Sequence, residues 1–170
     1  LITREAKSTN IKSIHPAAIG ATGKIAVRVD LMDGQGELRL YSLDGSYKVI
    51  AQNSPIFRLD YGLSIDLHDK VLFTGIKLGE KSLFLWDGTK ATRLFGESDF
   101  GTFDFFDPQL ISKGQIVFRG LDKNKRPALF YWYKDKLEIF LKEGDEFSIE
   151  GVVTRSIRLH KKLSRRLGGE

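Results

Sequence analysis

Three stretches of the chain bring together residue types that could do chemistry. Asp30, Asp33 and Glu37, spaced by Gly34 and Gly36, form an acidic loop whose carboxylates and carbonyls could hold calcium. Its spacing is not that of an EF-hand, and a strand-connecting turn explains the same residues. The segment Glu97 to Pro108, "ESDFGTFDFFDP", sets Asp99 and Asp104 beside Phe100 and Phe103. Such a loop offers an aromatic face and acceptors to a sugar or peptide, or else packs between neighbouring units. Near the C-terminal end, Arg155, Arg158, Lys161, Lys162, Arg165 and Arg166 stand among leucines four apart. That pattern suits contact with an anionic surface, with a solvated end as the plainer reading.

Much else is excluded. There is no Cys, so disulfides, thiolate metal sites and Cys nucleophiles are ruled out. His15, His68 and His160 show no metal-ligand spacing. No nucleophile elbow, Walker loop or Rossmann glycine pattern occurs, and no cofactor is expected. No apolar run reaches the ~18–20 residues of a membrane-spanning helix, and no leader-like segment stands at the start.

The formal net charge is +5, and residues 151–170 carry all of it, with six basic residues and one acidic. The remaining 21 basic and 21 acidic residues cancel, which weakens any general nucleic-acid surface on the body. "SKGQIVFRG" (Ser112 to Gly120) opens like an RNA-recognition strand, but Gln115 and Val117 stand where aromatic residues would stack on bases.

The same stretch is the third copy of a refrain. "ATGKIAVRV" and "LHDKVLFTG" precede it, and Gly23, Asp69 and Gly114 stand 46 and 45 positions apart. Leu38, Leu83 and Leu129 follow in register, as do Tyr41, Trp86 and Trp132. The last two recur at the repeat period, which points to structural roles. Asp44-Gly45 and Asp87-Gly88 are hairpin signals between apolar runs, with Lys134-Asp135 in the same place. Ile14 to Ile19, Tyr61 to Ile65 and Phe106 to Ile111 supply one further strand per unit. The fold class expected is therefore all-β, with three four-stranded, propeller-like blade repeats of about 45 residues plus partial ends. A β-trefoil is the alternative.

The expected division has the end of a preceding unit at 1–13 and units at 14–57, 58–103 and 104–147. The start of a further unit and the basic tail follow at 148–170. The mid-unit ends predict a portion of a longer repeat protein, with closure by self-association or an open arc as alternatives.

"HPAAIGATGKIAVRVDLMDGQGELRLYSLDG" resembles TolB-like propeller blades. "LISKGQIVFRG" and "ALFYWYKDKLEIFLKEGDEF" are similar to bacterial tandem-repeat propellers with the motif Asn-x-x-Gly-x-x-x-Phe. The Gly-to-Phe spacing stands at Gly114 and Phe118, and Asp69 and Phe73 keep it with Asp in place of Gly. Gly20, Asp66 and Ile111 replace the motif's Asn. The resemblance covers about residues 12–150 and implies a propeller architecture in a secreted or bacterial envelope protein of binding or unknown role; a protein or glycan is the ligand expected of such a module. The function expected is thus a non-catalytic binding or scaffold module. The propeller portion of a peptidase or glycan-processing enzyme is one alternative, and anionic-surface binding through the tail is another. Paired carboxylates with raised pKa in a central cleft would favour the enzyme.

Overall fold

A computed structural model describes residues 10–100, 106–111 and 114–145. Twelve strands form three separate four-stranded antiparallel sheets, each built in chain order. The first holds β1 (Ile11–Ile19), β2 (Ile25–Leu31), β3 (Gly36–Tyr41) and β4 (Tyr47–Gln52). The second holds β5 (Phe57–Ile65), β6 (Val71–Lys77), β7 (Glu80–Trp86) and β8 (Ala91–Gly96). The short helix α1 (Glu97–Phe100) leads towards the third, made of β9 (Phe106–Leu110), β10 (Ile116–Leu121), β11 (Pro127–Tyr133) and β12 (Lys136–Lys142). Among the described residues no ladder joins one sheet to the next, which sets the trefoil aside in favour of blade-like sheets. Among the described residues no helix is long and apolar enough to cross a membrane.

Strand alternation explains how the sheets pack. Successive side chains point to opposite faces, so a strand buried on both sides reads as nearly continuous apolar sequence. In "VLF" of β6, Val71 and Phe73 face the first sheet, where they meet Ala26, Leu38 and Leu40. Leu72, between them, faces the third sheet with Leu83, Phe95, Ile116 and Phe118. The repeat register makes this order regular. Val27, Phe73 and Phe118 are equivalent: Phe73 and Phe118 face the preceding sheet, and Val27 lies on the face of the first sheet turned away from the second.

The first strands of neighbouring sheets lie against one another. These strands are longer than their apolar cores predict, beginning at Ile11 and Phe57 rather than at Ile14 and Tyr61. Each crosses an irregularity in register, between Ile14 and Ala17 in β1 and between Leu59 and Leu63 in β5. The β9–β10 pairing slips in the same region, around Val117 and Arg119. Extra residues in one strand bend it and re-aim its side chains.

Gly62 lies in the irregular part of β5. A Cβ there would come 2.8 Å from both side-chain branches of Thr74 and 3.0 Å from Pro108 Cδ. Thr74 cannot easily yield, because its hydroxyl accepts a hydrogen bond from the Gly62 N–H at 2.8 Å. Gly62→Ala is expected to cost about 1–3 kcal/mol by forcing the second and third sheets apart. A thermal melt unchanged from the parent protein would contradict that tight fit.

The turns show how local chemistry replaces an ideal motif. Gly23 and Gly114 take positive φ at the β1–β2 and β9–β10 turns. Asp66, in the place of the Asn of the Asn-x-x-Gly-x-x-x-Phe motif, accepts hydrogen bonds from the His68 and Lys70 N–H groups through Oδ1. An Asp side chain serves that turn as an Asn would. Lys134-Asp135 departs from Asp44-Gly45 in kind. Both Lys134 and Asp135 have positive φ in a two-residue loop, a type I′ hairpin, whereas Asp44 caps a longer turn by accepting from Ser46.

Candidate functional site

The acidic loop of 30–37 does not gather its carboxylates. Asp30 Oδ2 accepts from His15 Nε2 at 2.7 Å and from Ser13 Oγ at 3.1 Å, and Asp30 Oδ1 accepts from Arg28 Nη2 at 3.1 Å. Asp33 Oδ1 caps the turn by accepting from the Gln35 N–H at 2.9 Å, and Glu37 pairs with Arg39 at 2.8 Å. The three neighbours thus share no partner. Among the described residues no group of three His, Asp or Glu side chains converges on a metal-sized point.

Asp99 holds the turn after β8. Its Oδ2 accepts from the Gly96 N–H at 2.7 Å and meets Arg93 Nη2 at 3.0 Å. Arg93 also reaches Glu80 at 3.1 Å, and Glu80 accepts from the Ser98 N–H and hydroxyl. Phe100 closes α1 with its backbone; its side chain, with Phe103 and Asp104, lies outside the described residues. Arg155, Arg158, Lys161, Lys162, Arg165 and Arg166 also lie outside them.

Ser13, His15 and Asp30 have the composition of a hydrolytic triad, but their connectivity differs. In a triad the carboxylate orients His, and His activates the hydroxyl. Here Ser13 and His15 both donate to Asp30 Oδ2, so the His15 nitrogen that would activate a serine faces the carboxylate instead of the Ser13 hydroxyl. The cavity beside them, lined by His15, Arg28 and Tyr61, measures about 10 Å³, room for no more than a single water.

A larger space lies between the first and second sheets. This half-open groove has a volume of about 320 Å³. Leu40 and Trp86 form its apolar floor, and Lys24, Lys48, His68 and Asp69 stand around it. Ser42 and Ser46 add hydroxyls and backbone groups from the β3–β4 turn. Trp86 is 4% exposed, and Lys48 Nζ sits 4.6 Å from the centre of its ring. The ring quadrupole therefore holds an ammonium at the groove wall.

Asp69 joins the two sheets. It accepts from Thr22 Oγ1 at 2.5 Å and pairs with Lys24 Nζ at 3.0 Å. Its φ is +62°, where the other two units place Gly23 and Gly114. A non-Gly residue in the left-handed region is locally unfavourable, although Asp tolerates it better than most. That departure was visible in the repeat alignment as Asp in place of Gly. The partners were not, because Thr22 and Lys24 belong to the preceding unit.

Partial burial pushes the Asp69 carboxyl up, but hydrogen bonds from Thr22 and Lys24 and the charges of Lys24 and His68 outweigh it. Its pKa falls below the ordinary 3.8. Asp30 follows the same pattern, with burial outweighed by His15, Arg28 and Ser13. Backbone donors hold the buried Asp122 down through Arg126 and Asn124 and the exposed Asp87 down through Lys90 and Thr89. Every carboxylate with a resolved shift among the described residues is lowered, opposite to the raised pair that would favour an enzyme.

Linkage gives the sign of the pH dependence. A carboxyl with a depressed folded-state pKa stabilises the fold fully above its unfolded value, and this is lost as pH falls through the folded value. The thermal midpoint is expected to hold from about pH 7 to pH 5 and to fall steadily below about pH 4. A midpoint still flat at pH 3 would contradict these assignments.

No family model and no curated protein matches the chain. Among solved structures, the chain is similar to an arginine-to-alanine triple mutant of AofleA from Arthrobotrys oligospora. The TM-score is 0.48 and the identity 12%, over 79% of this chain. The chain spans 43% of the length of that structure.

Proposed function

We propose that the chain is a non-catalytic binding module that holds a saccharide in the groove between its first and second sheets. One observation carries the reading. A space of about 320 Å³ has an apolar floor at Leu40 and Trp86 and a rim of hydroxyl, ammonium, imidazole and carboxylate groups. That volume falls at the lower end of small-molecule sites, where a few placed polar groups fix orientation. Saccharides match it, since they combine hydroxyls that both donate and accept with patches of C–H surface. The packed sheets position the two walls and bring the rim together from turns and strand ends, so little ordering is left to binding.

Catalysis is a poorer fit. Asp69 is held ionised by Thr22 and Lys24, which suits a fixed acceptor better than a proton donor at neutral pH. The likeness of the repeats to TolB-like blades and tandem-repeat propellers supports the same reading.

The test is saturation-transfer NMR and calorimetry against a panel of methyl glycosides and short oligosaccharides. Binding by at least one of them, with a change in tryptophan fluorescence that disappears in Leu40→Arg, is expected. A correctly folded protein that binds no member of the panel at millimolar concentration would overturn the proposal.

A further inference from the structure

The groove holds a positive charge that the architecture does not require. Lys48 pairs across β3–β4 with Leu40, and the same register places Thr92 opposite Leu85 and Glu138 opposite Tyr131. Neither the second nor the third sheet keeps a cation there, so the blade folds without one. Lys48 is exposed and forms no ion pair among the described residues. Lys24, the other ammonium on the rim, is already matched by Asp69 at 3.0 Å. Of the rim's two ammonium groups only Lys24 faces a carboxylate, so one ammonium, that of Lys48, is left unmatched.

Trp86 fixes where that charge stands. A lysine head free in water would spread over many rotamers, whereas the ring beneath Nζ favours one placement at the groove wall. At 4% exposure the indole adds a small apolar area to the groove floor rather than a full stacking face. Its larger part in the groove is to hold a cation. A ligand anion reaching Nζ would meet a preorganised donor, with its other hydroxyls facing Ser42, Ser46 and His68.

Resting on the saccharide reading above, we infer that the groove selects a saccharide carrying a single negative charge, of the uronic acid class, with Lys48 as its carboxylate anchor. One negative charge balances the unmatched ammonium. A dianionic phosphate ester would bring a second charge with no cation left for it, because Lys24 is committed to Asp69.

The experiment compares methyl glucuronide with methyl glucoside by calorimetry at low salt, with glucose 6-sulfate and glucose 6-phosphate as further arms. The glucuronide is expected to bind about 10- to 100-fold more tightly than the glucoside, as a charge-assisted hydrogen bond gives. The preference shrinks as ionic strength rises. Lys48→Gln removes it, and Lys48→Arg retains it. Near-UV circular dichroism confirms that both variants keep the Trp86 environment. Sulfate binding below the glucuronide supports a carboxylate anchor, and sulfate or phosphate binding above it overturns the uronate assignment. Equal binding of glucuronide and glucoside, with Lys48→Gln unchanged, overturns the inference and leaves the saccharide reading standing. Binding of neither sugar overturns both.

Discussion

Leu83→Ala is expected to destabilise the protein by about 2–5 kcal/mol, and Leu129→Ala by clearly less. The two leucines occupy the same register, 46 positions apart. Leu83 is fully buried between the second and third sheets, among Phe95, Phe118 and Phe130. Leu129 lies on the opposite face of the third sheet and is only half-buried. Deleting three heavy atoms from a closed interface leaves a cavity, whereas a partly wet face refills with water. Val117 and Tyr131 share that half-buried face, while their counterparts in the first sheet, Ala26 and Leu40, are buried. Urea unfolding of the two variants measures the difference. Equal losses would mean that the outer face of the third sheet is as well covered as the interface between sheets.

Trp86→Ala is expected to cost about 3–5 kcal/mol and to abolish saccharide binding as well. The ring is packed among Phe73, Phe84 and Val71 on one side and carries Lys48 on the other. Trp132→Ala, in the same register of the third sheet, is expected to cost a similar amount without changing the groove. It removes a ring packed near Phe95, at 5.5 Å between centroids, that is not among the residues lining the groove. Binding measured at a temperature where both variants remain folded separates the two roles. If Trp132→Ala lowers affinity as much as Trp86→Ala does, the groove is the wrong place for the ligand.

The paired tryptophans show how far repetition carries a sequence reading. Their shared register announced a structural role, and both are core residues. Repetition says nothing about what differs between copies. Lys48, Thr92 and Glu138 follow no motif, and only strand pairing shows that they are equivalent. The segment around Asp99 drew attention because it breaks the repeat and is rich in aromatics. Asp99 itself ties down a turn through Arg93 and the Gly96 N–H. The acidic loop makes a related point. Nearness in sequence put Asp30, Asp33 and Glu37 together on paper, but Asp30 and Glu37 lie on antiparallel strands and Asp33 in the turn, with side chains aimed at different partners.

The chain alone was enough to establish an all-β architecture of three four-stranded units, their period and their turns. Those features rest on strand alternation and positive-φ turn residues, which act over a few neighbours and are written directly in residue order. The groove had to wait for the packed sheets. Asp69 meets Thr22 and Lys24 across 47 and 45 residues, and Lys48 finds Trp86 across 38. Such contacts depend on which face of one sheet is laid against the next and at what register. The first strands' irregularities and the side-chain packing between sheets set that arrangement, and no short window of sequence contains either.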